Sequence, residues 1–324
     1  MVLAAEEAAG TLALRWMAAQ EEVALIAVLT ATPGDAKGRP GVADAARDLG
    51  CTLLPAEQVR DPGFGRWMRS EGVDLLINVH SLHVIHGEVV AAPRIGSFNL
   101  HPGPLPGYAG LNAPSWAIFN GEQRHAVTLH WMAPGIDTGA IAYDAWFDLD
   151  PTATGLSASV RCVRLGLPLV EALVASALAD PAAIPARPQD RTKRRYYKRS
   201  EVPFGGKLDW HRSAAALDAF IRAANYHPMP SPWRHPTTCL DGTPLGIVAA
   251  RRTGRACDAA PGTLATGDGG AIAVATADEW LVLQRIHQAG RVRPAAECLR
   301  AGGRLESLRP CGGVQHVAAL CPQR

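Results

Sequence analysis

Asn99 and His101 stand two residues apart, and Pro102, Gly103, Pro104, Pro106 and Gly107 follow them directly. In an extended segment, residues two apart point to one face. A Pro/Gly run cannot continue as helix or inner strand, so the amide and the imidazole project together from a rigid loop edge. A neutral imidazole takes or gives a proton near neutral pH, and an amide N–H stabilises an oxygen on which negative charge develops. Six residues separate His130 from Asp137-Thr138-Gly139, which places a carboxylate on a Gly-flanked loop at a strand's end. Ligand sites of open α/β sheets lie there. Amide, imidazole and carboxylate are the parts needed for acyl transfer without a covalent enzyme intermediate: an amine attacks a carbonyl, a donor stabilises the oxyanion, and an acid–base group moves the proton. The same residues also fit a structural reading, with Asn99 capping a turn, His101 a satisfied loop histidine and Asp137 capping a helix. Spacing alone does not separate the two.

Positioning such a trio requires a sheet. Val2–Ala5, Val23–Leu29, Thr52–Leu54 and Asp74–Val79 read as strands, alternating with helical stretches at Glu6–Gln20, Gly41–Gly50 and Pro62–Ser70. Thr30–Pro40 has loop chemistry. Val127–His130 and Ala140–Tyr143 read as strands that bracket the Asp137 loop, and Thr154–Ala179 as a long amphipathic helix. Strand–helix alternation predicts a doubly wound, mostly parallel α/β sheet. A Pro-rich stretch then leads into Arg187–Arg199, with seven basic residues and one acid in thirteen. Beyond it, a helix at Ser213–Ala224 precedes short β-like segments at Leu245–Ala250, Ala271–Ala275 and Leu281–Ile286, punctuated by Gly and Pro, which predict a small OB-like β-domain. Gly267–Gly270 reads as a hairpin turn, because no helix with a Lys-Ser/Thr pair follows. The expected organisation is a catalytic α/β domain over 1–185, a basic linker over 186–205, and a C-terminal helix plus OB-like β-domain over 206–324.

Composition sets the outer bounds. The 324 residues exceed one domain of about 150. With 48% hydrophobic and 19% charged residues the chain has material for a core, which excludes a disordered class. The 32 Gly and 25 Pro follow no period, which excludes collagen. A net charge of +2 does not by itself mark a nucleic-acid binder. The seven cysteines are scattered with no C-x-x-C and read as reduced thiols. The longest apolar run, Val23–Leu29, is too short to span a bilayer. Glu6 and Glu7 occupy the region where a signal peptide would be cationic, so a cytoplasmic location is expected.

The stretch N-L-H-P-x-x-L-P-x-Y-x-G from Asn99, followed by V-T-L-H-x-M-x-x-G-I-D-T-G from Val127, resembles the signature of the folate-dependent formyltransferases, a family that includes methionyl-tRNA, glycinamide-ribonucleotide and amino-sugar formyltransferases. Leu208–Ala214 and residues 261–304 resemble the C-terminal domain of its longer members, so the similarity covers nearly the whole chain. The resemblance implies that 10-formyl-tetrahydrofolate is the co-substrate. Asn99 and His101 would polarise the formyl carbonyl and stabilise the tetrahedral intermediate, and Asp137 would hold His101 and assist proton transfer. It further implies that Ser81, Leu82, His83, Val84 and Ile85, with Thr138, Gly139 and Asp144, bind the cofactor, and that Tyr108, Gly110, Asn112 and Trp116 line the acceptor pocket. The loop 108–116 is more similar to the amino-sugar and natural-product branch than to the initiator-tRNA branch. The expected acceptor is therefore a primary amine of a small molecule: an amino sugar or a secondary-metabolite amine or hydroxylamine. Methionyl-tRNA formylation is the chief alternative. The His-rich stretch His80–Ile85 departs from the family and leaves open another donor such as an acyl-coenzyme A. A folate- or RNA-binding regulator is the non-enzymatic alternative. The basic run Arg187–Arg199 reads as a linker that wraps back on the first domain rather than as a tRNA contact. His80, His83 and His86 line a pocket or the surface, without a metal.

Overall fold

The computed structural model describes residues 1–31 and 41–308, so most of the expected Thr30–Pro40 loop, together with Cys311 and Cys321, lies outside the described residues. In chain order the first part contains β1 (Val2–Ala5), α1 (Glu7–Ala18), β2 (Ala27–Thr30), α2 (Val42–Asp48), β3 (Leu53–Pro55), α3 (Pro62–Ser70), β4 (Leu75–Val79), α4 (Gly87–Val90), β5 (Gly96–His101), β6 (Ala109–Gly110), α5 (Ala113–Phe119), β7 (Arg124–Trp131), β8 (Ile141–Asp148), α6 (Gly155–Ala179) and β9 (Tyr196–Tyr197). There follow α7 (Ala214–Ala224), β10 (Thr237–Leu240), β11 (Thr243–Ala256), β12 (Leu264–Thr266), β13 (Ile272–Ala275), β14 (Glu279–Gln288), β15 (Arg291–Pro294), α8 (Ala295–Cys298) and β16 (Leu305–Glu306). They form two compact units, each discontinuous in sequence: Met1–Ala113 with Arg124–Phe147 and Ser159–Tyr197, and Pro114–Gln123 with Asp148–Ala158 and Lys198 onward.

The first unit is built on a seven-stranded sheet of order β3-β2-β1-β4-β5-β7-β8. β3, β2, β1, β4 and β5 pair in parallel, and β7 runs antiparallel to β5. Every residue of β1, β2 and β4 is buried, as expected of central strands covered on both faces. Beneath them Val2, Leu29, Phe64, Met68, Leu76 and Val89 form one apolar cluster. α3 starts where Asp61 accepts the Gly63 N–H, with Pro62 at the first helical position.

Two expectations need correction. The strand expected over Val23–Leu29 is only Ala27–Thr30, because β1 is four residues long and pairs only with Ala27–Leu29. Residues 23–26 are exposed or half-buried, and the Met1 carbonyl and amino group tie them down through Ile26 and Ala24. α6, expected as a long amphipathic helix, is moreover apolar enough over its 25 residues, by length and composition alone, to cross a membrane, although no long unbroken apolar run marks it. Arg161, Arg164 and Pro168 interrupt the run without ending the helix, and Val170, Leu173 and Val174 on it are buried.

The second unit folds as an antiparallel β half-barrel of order β12-β13-β14-β11-β10-β16, with β15 added to β14. β11 bends through register shifts after Ile247, Ala249 and Arg252, the kind of bulge that lets one long strand curve around a core. Trp210 is fully buried, and its indole N–H donates to Thr238.

Leu76 is fully buried at the centre of the first core. Leu76→Ala is expected to destabilise the protein by about 2–5 kcal/mol, read as a lower midpoint in urea denaturation.

Candidate active site

Asn99 sits two residues before the end of β5 and is flanked across the sheet by Asn78 of β4 and His130 of β7, its register partners on either side. Cross-strand partners share a face, so the three side chains form a row. The Asn78 Nδ2 group donates to the Ser81 carbonyl at 3.3 Å and to Asn99 Oδ1 at 2.8 Å. This fixes the Asn99 amide so that its Nδ2 group donates to His130 Nε2 at 3.0 Å and to Asp137 Oδ1 at 3.3 Å. His130 accepts at Nε2 because its Nδ1 donates to the Trp131 carbonyl at 2.8 Å.

His101 lies on the same face two residues on. Its Nε2 donates to the Tyr108 carbonyl at 2.6 Å, leaving Nδ1 3.7 Å from Asp137 Oδ2. Gly103 permits this packing, since a Cβ there would stand 3.0 Å from His101 Nε2 and 2.7 Å from the Ala113 Cβ. Burial pushes the His101 imidazole below its ordinary 6.5, an effect that the Asp137 carboxylate and the Tyr108 carbonyl only partly offset.

Asp137 closes the site from the loop after β7, with a left-handed backbone of φ 52. Its side chain is 9% exposed. Burial pushes its carboxyl up, but His101, His130 and the Gly110 N–H, 2.8 Å from Oδ2, hold it well below the usual carboxylate range. Gly110 has φ 92, and a Cβ there would collide with the Tyr197 carbonyl, so only glycine brings this N–H to the carboxylate.

The segment after Pro185 holds this arrangement from outside. The Gln189 amide donates to the carbonyls of Asp137 and Gly139 at 3.0 and 2.6 Å, and Arg194 donates to the Ile136 and Asp137 carbonyls at 2.7 and 3.4 Å. β9 pairs in parallel with β6, and Tyr197 stacks on Tyr108 with ring centroids 5.6 Å apart. The basic run thus wraps back on the first unit, and its charges have internal uses. Arg187 pairs with Asp144 and Lys193 with Asp190, while Arg194 and Arg195 lie over the rings of Tyr196 and Tyr197.

The structure brings Asn99, His101 and Asp137 together. Ser81 is buried, Leu82 and Val84 are exposed, and Ile85 packs on the core beneath the sheet. Asn78 Oδ1, Ser81 Oγ and His83 Nδ1 are buried without hydrogen-bond partners. Thr138 donates to the Pro134 carbonyl at 2.8 Å, inside the loop that ends at Gly139, and Asp144 also accepts the Trp146 indole N–H at 2.7 Å. Tyr108 and Gly110 bear directly on the trio through their backbone groups, and Asn112 is left-handed at φ 60. Trp116 is in the second unit, edge-on to Phe119 and Trp233. Sequence reasoning missed His130, Asn78, Gln189 and Arg194 as members of the site. His130 stands inside the V-T-L-H motif and was readable there; the others depend on strand register or on a return of the chain some fifty residues later.

A nitrogen-15 titration of the imidazoles is expected to place the His101 midpoint below 6.5. Asp137→Asn removes a negative charge that pulls this value up, so the midpoint should fall further in that variant; a midpoint at or above 6.5 in the unaltered protein contradicts the described burial.

Residues 11–165 match the model of the formyl transferase family, and residues 204–301 match its C-terminal domain. The chain is 34% identical over 276 residues to a methionyl-tRNA formyltransferase of Roseiflexus castenholzii, covering 84% of each. It is 35% identical over 158 residues to a GDP-perosamine N-formyltransferase of Brucella melitensis, covering 48% of this chain and 59% of that one. A Helicobacter canadensis N-formyltransferase solved with folinic acid and dTDP-3-aminofucose shares the fold, with a TM-score of 0.65 at 15% identity over 87% of this chain and 97% of that one. HypX from Aquifex aeolicus, solved with tetrahydrofolic acid, has a TM-score of 0.56 at 18% identity over 78% of this chain and 43% of that one. With its two domain types matched in order and a relative aligned over most of both chains, this protein belongs to the formyl transferase family.

Proposed function

We propose that the protein transfers a formyl group from 10-formyl-tetrahydrofolate to the primary amine of a small molecule, an amino sugar or a secondary-metabolite amine or hydroxylamine. The observation that carries this reading is the convergence of the Asn99 amide, the His101 imidazole and an ionised Asp137 at a strand end, with no nucleophilic Ser or Cys among the groups that bond them. The folate supplies an activated formyl carbon. Asn99 Nδ2 donates to the carbonyl oxygen as the amine adds, and the longer of its two bonds, that to Asp137, is the one the oxygen takes over. His101 Nδ1 is free to take the proton that the amine nitrogen loses, and the Asp137 carboxylate 3.7 Å away stabilises the resulting imidazolium. The bond from carbon to the folate nitrogen then breaks, and that nitrogen recovers the proton.

The donor reading is supported by the segment 78–85. The unpartnered Asn78 Oδ1, Ser81 Oγ and His83 Nδ1, beside the exposed apolar side chains of Leu82 and Val84, suit a flat heterocycle with polar edges. The small-acceptor reading is supported by the internal use of Arg187, Lys193, Arg194 and Arg195, which leaves the basic run poorly placed to follow a phosphate backbone. A second reading, formylation of methionyl-tRNA, is favoured by relatives of that name that match across both domains.

With 10-formyl-tetrahydrofolate and a panel of amino sugars and hydroxylamines, the protein is expected to release tetrahydrofolate only when an acceptor is present. Asn99→Ala should lower kcat about 10²–10³-fold, and His101→Ala and Asp137→Ala at least as much. Unchanged turnover in these variants overturns the mechanism. Turnover of initiator methionyl-tRNA with binding that falls steeply with salt, and none of the small amines, overturns the small-acceptor reading.

A further inference from the structure

The second unit contains a cavity of about 460 Å³ whose lining includes none of Asn99, His101 and Asp137. It arises from one row of the half-barrel. Thr237 of β10, Gly246 of β11 and His287 of β14 are cross-strand partners and face the same way. Gly246 has no side chain, so His235 can pack directly over its backbone beside His287. A Cβ at this position would lie 2.8 Å from the His235 Cβ and 3.6 Å from the His287 Cβ. Pro230 and Pro244 supply an apolar wall, and Arg234, His235 and His287 the polar side.

Three features of that polar side point to a ligand. The rings of His235 and His287 stand 5.2 Å apart at 43°, and His235 Nδ1 is buried with no hydrogen-bond partner. A buried polar atom left unsatisfied is costly and calls for a partner. Arg234 is exposed, with a left-handed backbone at φ 58, and its guanidinium forms no ion pair among the described residues. Finally, the lining contains no carboxylate. The groups that set the local charge, Arg234, His287 and the nearby His227, are all cationic or neutral, and His235 is held below its ordinary value by burial first and then by the other two histidines. Two imidazoles without a third metal-ligating side chain do not make a metal centre, and among the described residues no such cluster exists.

We propose that this cavity binds a small organic phosphate of nucleoside-monophosphate size. Arg234 and the two imidazoles hold the phosphate, and the ring system lies against Pro230 and Pro244. Its volume falls within the range of about 300–1,000 Å³ typical of small-molecule sites. A guanidinium with free N–H groups is the side chain best shaped for phosphate oxygens. The apolar wall is what distinguishes an organic phosphate from the bare ion.

Isothermal titration of the full-length protein with adenosine 5′-monophosphate, adenosine and inorganic phosphate tests this. The monophosphate should bind at least tenfold more tightly than either of the other two. Its affinity should fall at least tenfold in Arg234→Asn, a residue that tolerates the left-handed backbone, and again in His287→Gln. Neither variant touches Asn99, His101 or Asp137, so formyl transfer should be unchanged in both, which separates failure of this site from failure of the formyl-transfer reading. Monophosphate binding that survives both variants, inorganic phosphate that binds equally well, or an RNA oligonucleotide that binds more tightly through the same residues would each overturn the proposal.

Discussion

A carboxylate held out of water at Asp137 is the constraint around which the first unit is arranged. An ionised group in so dry a place is tolerated only when its oxygens are met by donors. Gly110 meets Oδ2 from one side and Asn99 meets Oδ1 from the other. Each donor imposes a further requirement. The Gly110 N–H reaches Asp137 only from a left-handed glycine pressed against the Tyr197 carbonyl, so β6 and β9 must pair. The Asn99 amide points the right way only because Asn78 fixes its oxygen and His130 accepts at its nitrogen. The carboxylate, the Asn99 amide, Asn78, His130 and the Gly110 N–H thus form one hydrogen-bonded network, and such a network acts cooperatively; the His101 imidazole stands beside it with Nδ1 3.7 Å from the carboxylate.

The outer support explains why a segment that looks like a linker belongs to the site. Gln189 and Arg194 between them occupy the carbonyls of Ile136, Asp137 and Gly139, the backbone that carries the carboxylate at positive φ. Strained loop geometry persists when its surroundings over-determine it, and here the surroundings arrive from a chain segment about fifty residues later. Part of the basic character of Arg187–Arg199 follows from the same architecture, since Arg187, Lys193, Arg194 and Arg195 pair with acids, aromatic faces or carbonyls of the first unit.

Much of this was legible in the residue order. Asn99, His101 and Asp137 fall within two compact motifs because the strand ends that present them are short and local. β4 and α3 were readable from a run that is apolar but for Asn78 and from the Asp61–Pro62 start. Other features depend on partners far along the chain. The Val23–Leu29 run is trimmed by the length of β1, not by its own composition. Asn78 joins the site only through the register of β4 against β5. Trp116 stands close in sequence to the acceptor loop, yet α5 belongs with the second unit and packs on Trp233. Proximity in sequence and proximity in the fold part company there, because the chain leaves the first unit at Pro114 and returns at Arg124.

Asp137 is ionised and hydrogen-bonded while buried, and carbon-13 NMR of its side-chain carboxyl tests this most directly. This resonance is expected to stay in its ionised position as pH is lowered from about 7 to about 4, because the folded-state value lies below the ordinary 3.8. A midpoint at or above that value would mean that burial, not the surrounding donors, governs the group, and would contradict the account.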